Sequence, residues 1–253
     1  MPQPEAAVTL LHAAPPCDSV LLMRRAERAG DSWSGHWSLP GGHRERGDMD
    51  LLHTALRELE EECGIRLRRE DLESTLPERV AGSRVGKFML VAPFAFRIPG
   101  ERATILDPAE AAQASWIPLS LLRDTSRHRL RNVPRGAPEL FFPAVDLDVA
   151  PLWGFTWRVL VEWLNLGPRP EIAAVAAALL DFVTAHGCSL DHGWSNGQAQ
   201  VRGRIPVAET IAQFSKPGPH IFAMQRVEIR PDRIRLFDPA MREFTIHTTT
   251  GPP

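Results

Sequence analysis

Tyrosine is absent from the 253 residues, and Lys87 and Lys216 are the only lysines, so almost every basic side chain is an arginine. Both features read as compositional bias and carry no chemistry. Cysteine is scarce as well. Cys17, Cys63 and Cys188 are odd in number and far apart, which excludes the paired spacing of a redox motif or a structural zinc site and fits a reducing, cytoplasmic compartment. No apolar run reaches the ~20 residues of a membrane helix. The stretch around Glu5 lacks the basic segment of a signal peptide, and none is expected. The formal net charge of -2 leaves no broad basic field, so neither nucleic acid nor a membrane surface is an expected partner.

What the chain does have is concentrated between Leu39 and Ile65. Leu52, Ala55, Leu56, Leu59 and Cys63 recur at helical spacing and define a buried side. Glu58, Glu61 and Glu62 stand at i, i+3 and i+4 and are expected to share another face. Three carboxylates together repel one another unless a cation joins them, and a divalent metal with hard oxygen ligands is the natural remedy. Gly64 is the expected C-cap, and Asp48 or Asp50 the N-cap. Ahead of the helix, Pro40-Gly41-Gly42 forms a tight turn where backbone can approach a ligand.

The run Arg57-Glu58-Leu59-Glu60-Glu61-Glu62-Cys63-Gly64-Ile65 matches REUxEExGU, with U aliphatic, and the stretch resembles a Nudix box. That family hydrolyses nucleoside diphosphates linked to another moiety. The resemblance implies metal binding (Mg2+ or Mn2+) by Glu58, Glu61 and Glu62 with the Gly41 carbonyl, and an Arg57 that holds the loop through a carboxylate. The usual box has an acidic residue eight positions before the arginine. Here that position is Met49, and Asp48 lies one step earlier. The longer loop is similar to the coenzyme A pyrophosphatase branch, and the loop anchor is carried to Asp48.

The rest of the chain is read around that box. Residues 7–12 and 20–23 are strands, the second running into Arg24-Arg25. The family pattern places a substrate-phosphate arginine at Arg25; the alternative is surface charge. Trp33 and Trp37 either stack on a base or pack the core, and Gly42 and Trp37 count among the substrate-binding candidates. His36 is either a proton shuttle or structural. Leu76–Arg79 starts a strand, and residues 86–98 form a central one. Glu110, six residues before Trp116-Ile117-Pro118-Leu119, is either a further acidic group at the metal, hence a catalytic candidate, or the reciprocal cap of a short helix begun by Asp107. The basic run 126–135 is either a solvated loop or the mouth of an anionic-substrate site. A helix over 152–164 resembles the terminal helix of coenzyme A pyrophosphatases.

Gly167-Pro168-Arg169-Pro170 marks the expected boundary. The fold expected is α/β (α+β): a Nudix domain over 1–166, with a mixed β-sheet sandwiched between helices, and an α+β extension over 170–253. In the extension we read a helix over 170–186, strands over 198–205, 221–229, 234–237 and 244–248, and a short helix over 206–214. Asp191-His192 and His220 are its only reactive-looking groups.

The resemblance implies a metal-dependent pyrophosphatase acting on a small nucleotide, coenzyme A first, with Glu58, Glu61, Arg57 and Glu110 as catalytic candidates. ADP-ribose or NADH hydrolysis is the alternative substrate reading. A ligand sensor with a C-terminal effector is the alternative of another class, and a homodimer built on 170–253 is a further possibility.

Overall fold

The computed structural model describes residues 3–28, 34–82, 89–133 and 137–249. Trp33 and the start of the 86–98 strand lie outside them. The chain divides into two units: residues 1–123 with 147–164, and residues 124–146 with 165–253.

The first unit is built on a mixed sheet. Its strands are β1 (Ala6–Ala13), β2 (Ser19–Arg25), β3 (Trp37–Ser38), β4 (Gly41–His43), β5 (Leu72–Thr75), β6 (Arg79–Ala81), β7 (Met89–Ile98) and β8 (Ala111–Pro118). The main order is β3-β2-β1-β7-β5, with β4 on β1, β6 on β7 and β8 on β2. β1 and β7 run parallel, from Ala6 opposite Val91 to Ala13 opposite Ile98. Helix α1 (Leu51–Cys63) packs on β1, β4 and β7. Leu59 and Cys63 interlock there with Leu11, Leu21, Met23, Phe96 and Ile98. A buried hydrogen bond from Thr9 Oγ1 to the Ala55 carbonyl, 2.9 Å, fixes the helix against β1. Helix α2 (Leu119–Arg123) follows β8, and β11 (Pro151–Trp153) leads into α3 (Gly154–Trp163).

The second unit is a sheet with helices on one side. Strand β9 (His128–Arg131) pairs with β10 (Leu140–Asp146), and β10 with β14 (Arg226–Ile229). The order continues through β15 (Arg233–Phe237) and β16 (Glu243–Thr249) to β13 (Gln198–Arg202) and β12 (Ser189–Ser195). Helices α4 (Ile172–Ala185), α5 (Val207–Phe214) and α6 (His220–Ala223) pack against this sheet.

Several expectations change. The boundary after residue 166 assigns 124–146 to the first unit, but these residues belong to the second, because β10 pairs with β14. The strand expected to start at Leu76 is instead two short strands, β5 and β6, that pair in turn with β7. No helix begins at Asp107: residues 108–110 are a turn, and the alanine-rich segment after it is β8, held by the edge of β2. Residues 134–135 of the basic run lie outside the described residues, and of the rest residues 128–131 are strand β9 and not a solvated loop. Arg129 and Arg131 project from β9 and pair with Asp146. Residues 221–223 are helical rather than extended, and β12 was not anticipated.

Candidate active site

The cluster is assembled by helix α1 and the loop before it. Asp50 caps the helix by accepting from the His53 backbone N–H at 2.8 Å, and Gly64, at φ 68°, ends it. Between caps, positions i and i+4 face the same way, so Glu58 and Glu62 both point back over the Gly41-Gly42 turn.

That turn needs its glycines. A Cβ on Gly42 would lie 2.4 Å from Glu58 Oε1, and one on Gly41, at φ 152°, 2.3 Å from the Ala7 carbonyl oxygen. The Gly41 backbone N–H donates to Glu62 Oε2 at 2.8 Å. Glu62 is 3 % exposed. Burial first, then the neighbouring Glu58 and Glu110 carboxylates, push its carboxyl up to about 8, against the Gly41 N–H and the Arg25 charge. Glu58 is raised too, again chiefly by burial, with Arg57 opposing and Glu61 and Glu110 adding to the rise. The structure therefore gathers Glu58, Glu62, Glu110 and Arg25, contributed by α1, the turn before β8 and the end of β2.

Arg57 locks the loop. Its Nε and Nη2 donate to the two oxygens of Asp48, each at 3.1 Å, and Nη2 also donates to the His43 carbonyl at 3.1 Å. Asp48 is buried and receives the Glu45 N–H and the Thr54 hydroxyl besides, each at 2.9 Å. This is the anchor expected from the longer loop. Thr54 was missed, since a threonine six residues beyond an aspartate is no recognisable motif until the helix start is known.

Two expectations need correcting. Glu61 does not share the buried face: it is exposed and receives Arg57 Nη1 at 2.7 Å, one turn away. The 100° step between consecutive helical residues turns it away from Glu62. Trp37 is buried on β3 and presents no open ring to a base. His36 packs edge-on against Trp153, 5.1 Å between centroids, the structural alternative for that residue. Glu60, outside the cluster, pairs with Arg66 on the surface at 2.6 Å.

A model of the NUDIX domain matches residues 1–136, more than half of the chain. The chain belongs to the Nudix family. Its fold is the Nudix fold, mixed sheet with helices, of the α+β class. The uncharacterised Nudix hydrolase NudL of Photorhabdus laumondii is 31% identical over 158 residues, 61% of this chain and 80% of that one. An uncharacterised protein of Schizosaccharomyces pombe is 39% identical over 140 residues, 50% of this chain. This Nudix chain matches only 43% of that relative's length. Among solved structures, a MutT/nudix family protein from Enterococcus faecalis is 19% identical with a TM-score of 0.41, covering 61% of this chain and 52% of that one. The NUDIX domain of Shewanella oneidensis NrtR, solved with ADP ribose, is 22% identical with a TM-score of 0.38, covering 47% and 75%.

A divalent ion fits this donor set in kind. The groups are hard carboxylate oxygens, one of them buried with its charge disfavoured, beside a glycine cradle with no side chain in the way. Among the described residues no three such side chains already stand at ligand distance. Glu61 is held by Arg57 and would have to turn to join Glu58 and Glu62. No helix among the described residues is long and apolar enough to cross a membrane.

Proposed function

We propose that this protein is a metal-dependent pyrophosphohydrolase that cleaves a nucleoside diphosphate linked to a second moiety. The carrying observation is the placing of Glu58 and Glu62 over a glycine turn that Arg57 and Asp48 hold, with the Glu110 carboxylate near enough for its charge to act on both. Glu58, Glu61 and Glu62, with the Gly41 carbonyl, would hold Mg2+ or Mn2+, which when bound neutralises charge on phosphoryl oxygens. The chain's own side chains do the rest. Arg57 fixes the height of the loop. Arg25, whose charge is felt at Glu62, takes a phosphoryl oxygen of the substrate. A carboxylate of the cluster accepts the proton of the attacking water, and burial raises its proton affinity for that task. The pyrophosphate bond breaks without a covalent enzyme intermediate.

Coenzyme A is the substrate proposed, cleaved to 3′,5′-ADP and 4′-phosphopantetheine. It rests on the longer loop, and the Asp48–Arg57 pair supports that register. ADP-ribose and NADH are its competitors. The test is turnover of all three by wild type and Glu62→Gln, with Mg2+ and with Mn2+, products separated by chromatography. We expect coenzyme A to be turned over fastest, with loss of activity in the variant. Tight binding of one compound without turnover by wild type would replace this reading with that of a ligand sensor.

A further inference from the structure

The sheet of the second unit has two unlike faces. Val227, Ile229, Ile234, Leu236 and Ile246 are buried on one. The other carries Arg226 and Glu228 from β14, Arg233, Arg235 and Phe237 from β15, and Glu243 from β16. Register aligns them: Arg226 is opposite Phe237, Glu228 opposite Arg235, and Phe237 opposite Glu243.

The carboxylates of this face are already taken. Glu228, 6 % exposed, lies 2.5 Å from Arg230, 3.3 Å from Arg233 and 3.4 Å from Arg235. Glu243 receives Arg235 Nε at 2.8 Å and Nη2 at 2.9 Å. Arg230 also reaches Glu139 at 2.9 Å. Arg226 is different. Among the described residues it has no carboxylate partner, and its buried Nε has no acceptor. Its guanidinium lies 4.2 Å from the centroid of the Phe237 ring, and that of Arg235 lies 5.1 Å from the same centroid. A half-buried cation thus rests on an aromatic ring beside a second cation. Burial and Arg235 both act to lower its pKa. One further donor on the same face, the Nε of Arg233, is buried without a hydrogen-bond partner among the described residues. Arrangements of this kind keep a place for an acceptor that arrives from outside.

We propose that Arg226, with Arg235 and Arg233 beside it, forms a binding site for a single phosphoryl group, as inorganic phosphate or the end of a small phosphomonoester. A guanidinium fork matches two oxygens of a tetrahedral oxyanion, and a phosphoryl group has a third oxygen for the neighbouring donors, where a carboxylate has only two. One unpaired cation calls for one compact anion. A polyanion such as single-stranded nucleic acid needs open aromatic rings for its bases, and Phe237, 4 % exposed beneath Arg226, has no such face. The inference does not rest on the hydrolase reading.

The test is a calorimetric titration of inorganic phosphate into the full chain, in EDTA so that no metal holds phosphate at the Nudix glutamates. The wild type is compared with Arg226→Gln and with Arg226→Lys, which keeps the charge and loses the fork. We expect one saturable site per chain, weakened about tenfold or more in Arg226→Gln and several-fold in Arg226→Lys. If Arg226→Gln does not fold, Arg226→Lys decides. Absence of saturable binding to wild type, equal binding by Arg226→Lys, or equal competition by acetate would each overturn the site. Stronger competition by a short oligonucleotide without terminal phosphates would replace the single phosphoryl group with a polyanion. The phosphate arm against an AMP arm tells free phosphate from a phosphomonoester: tighter AMP binding that depends on Arg226 assigns the ester, and tighter phosphate binding assigns the free ion.

Discussion

Arg57 grips Asp48 side-on: Nε and Nη2 each donate 3.1 Å to a different oxygen of the same buried carboxylate. The pair spans the loop from the Gly47-Asp48 turn to the middle of α1, so it sets how the Gly41-Gly42 turn lies over Glu58 and Glu62. The Arg57 hydrogen bonds, with lesser help from the Glu45 N–H and the Thr54 hydroxyl and against burial, hold the Asp48 carboxyl well below the usual carboxylate range. In the unfolded chain it titrates near ~3.9. Its stabilisation is therefore present in full above that value and is lost as pH falls through the lower, folded one. Asp48→Asn should cost about 2–4 kcal/mol at neutral pH, since it strands part of a buried ion pair. The difference from wild type should shrink toward pH ~2. Urea unfolding of both proteins at pH ~7 and pH ~3 measures it; a difference that widens on acidification would contradict the pairing.

The two glycines of the turn should fail in different ways. A methyl group at Gly42 meets the far end of the Glu58 side chain, which can swing aside. Gly42→Ala should fold with nearly wild-type stability while its turnover drops about tenfold or more, because Glu58 is displaced. A methyl group at Gly41 meets backbone, and the φ there is one an L side chain rarely adopts. Gly41→Ala should lose about 2–4 kcal/mol of stability as well as activity. Thermal melts beside rate measurements separate the two outcomes, and a Gly41→Ala protein as stable as Gly42→Ala would count against the close approach.

Glu62 should behave as a group that weakens the metal-free fold. Its folded value is raised to about 8, chiefly by burial. Below the unfolded value of ~4.3 it is neutral in both states and costs nothing. Between ~4.3 and about 8 the folded state holds the extra proton, so metal-free stability falls as pH rises through that window. Glu62→Gln should flatten that fall and, in EDTA at pH ~8, be more stable than wild type by on the order of 1–3 kcal/mol. Adding Mn2+ should raise the melting temperature of wild type and leave the variant nearly unmoved. Equal metal-induced shifts in both proteins would remove Glu62 from the metal site.

The local parts of this molecule were readable residue by residue, and the non-local parts were not. Helix α1 announces itself through Asp50, Gly64 and its apolar spacing, and the Asp48 anchor follows from a one-residue offset at Met49. The outward turn of Glu61 was also implicit, in the i to i+4 relation with Arg57, but the acidic run Glu60-Glu61-Glu62 hid it. The short helix offered as one reading of Asp107 and Glu110 gives way to a turn and strand β8, because the edge of β2 takes Ala111–Pro118 into the sheet. Strand β12 carries only Leu190 and Trp194 as large apolar side chains, and its register shifts on either side of His192, so it offers little alternation to detect. The Asn196-Gly197 pair between β12 and β13, with both residues at positive φ, was the available signal for that hairpin.

The boundary between the units offers the sharpest contrast between sequence and pairing. Gly167-Pro168-Arg169-Pro170 looks like a place to cut, and a chain ending at Leu166 would keep every residue that the NUDIX model matches. It would also keep β9 and β10 while deleting β14, the strand that pairs with Leu140 and Phe141. The N–H and C=O groups of Leu140 and Phe141 would then line an open edge, and β9 would lose the cover of α6. Residues 1–166 should therefore express as an aggregating or partly unfolded protein, with a melting transition broader and lower than that of residues 1–253. Sizing chromatography and circular dichroism on both proteins measure this. If residues 170–253 served only to join two copies, the shortened chain would instead run as a folded monomer with an unchanged melt, because no strand of its own sheets would have lost a neighbour.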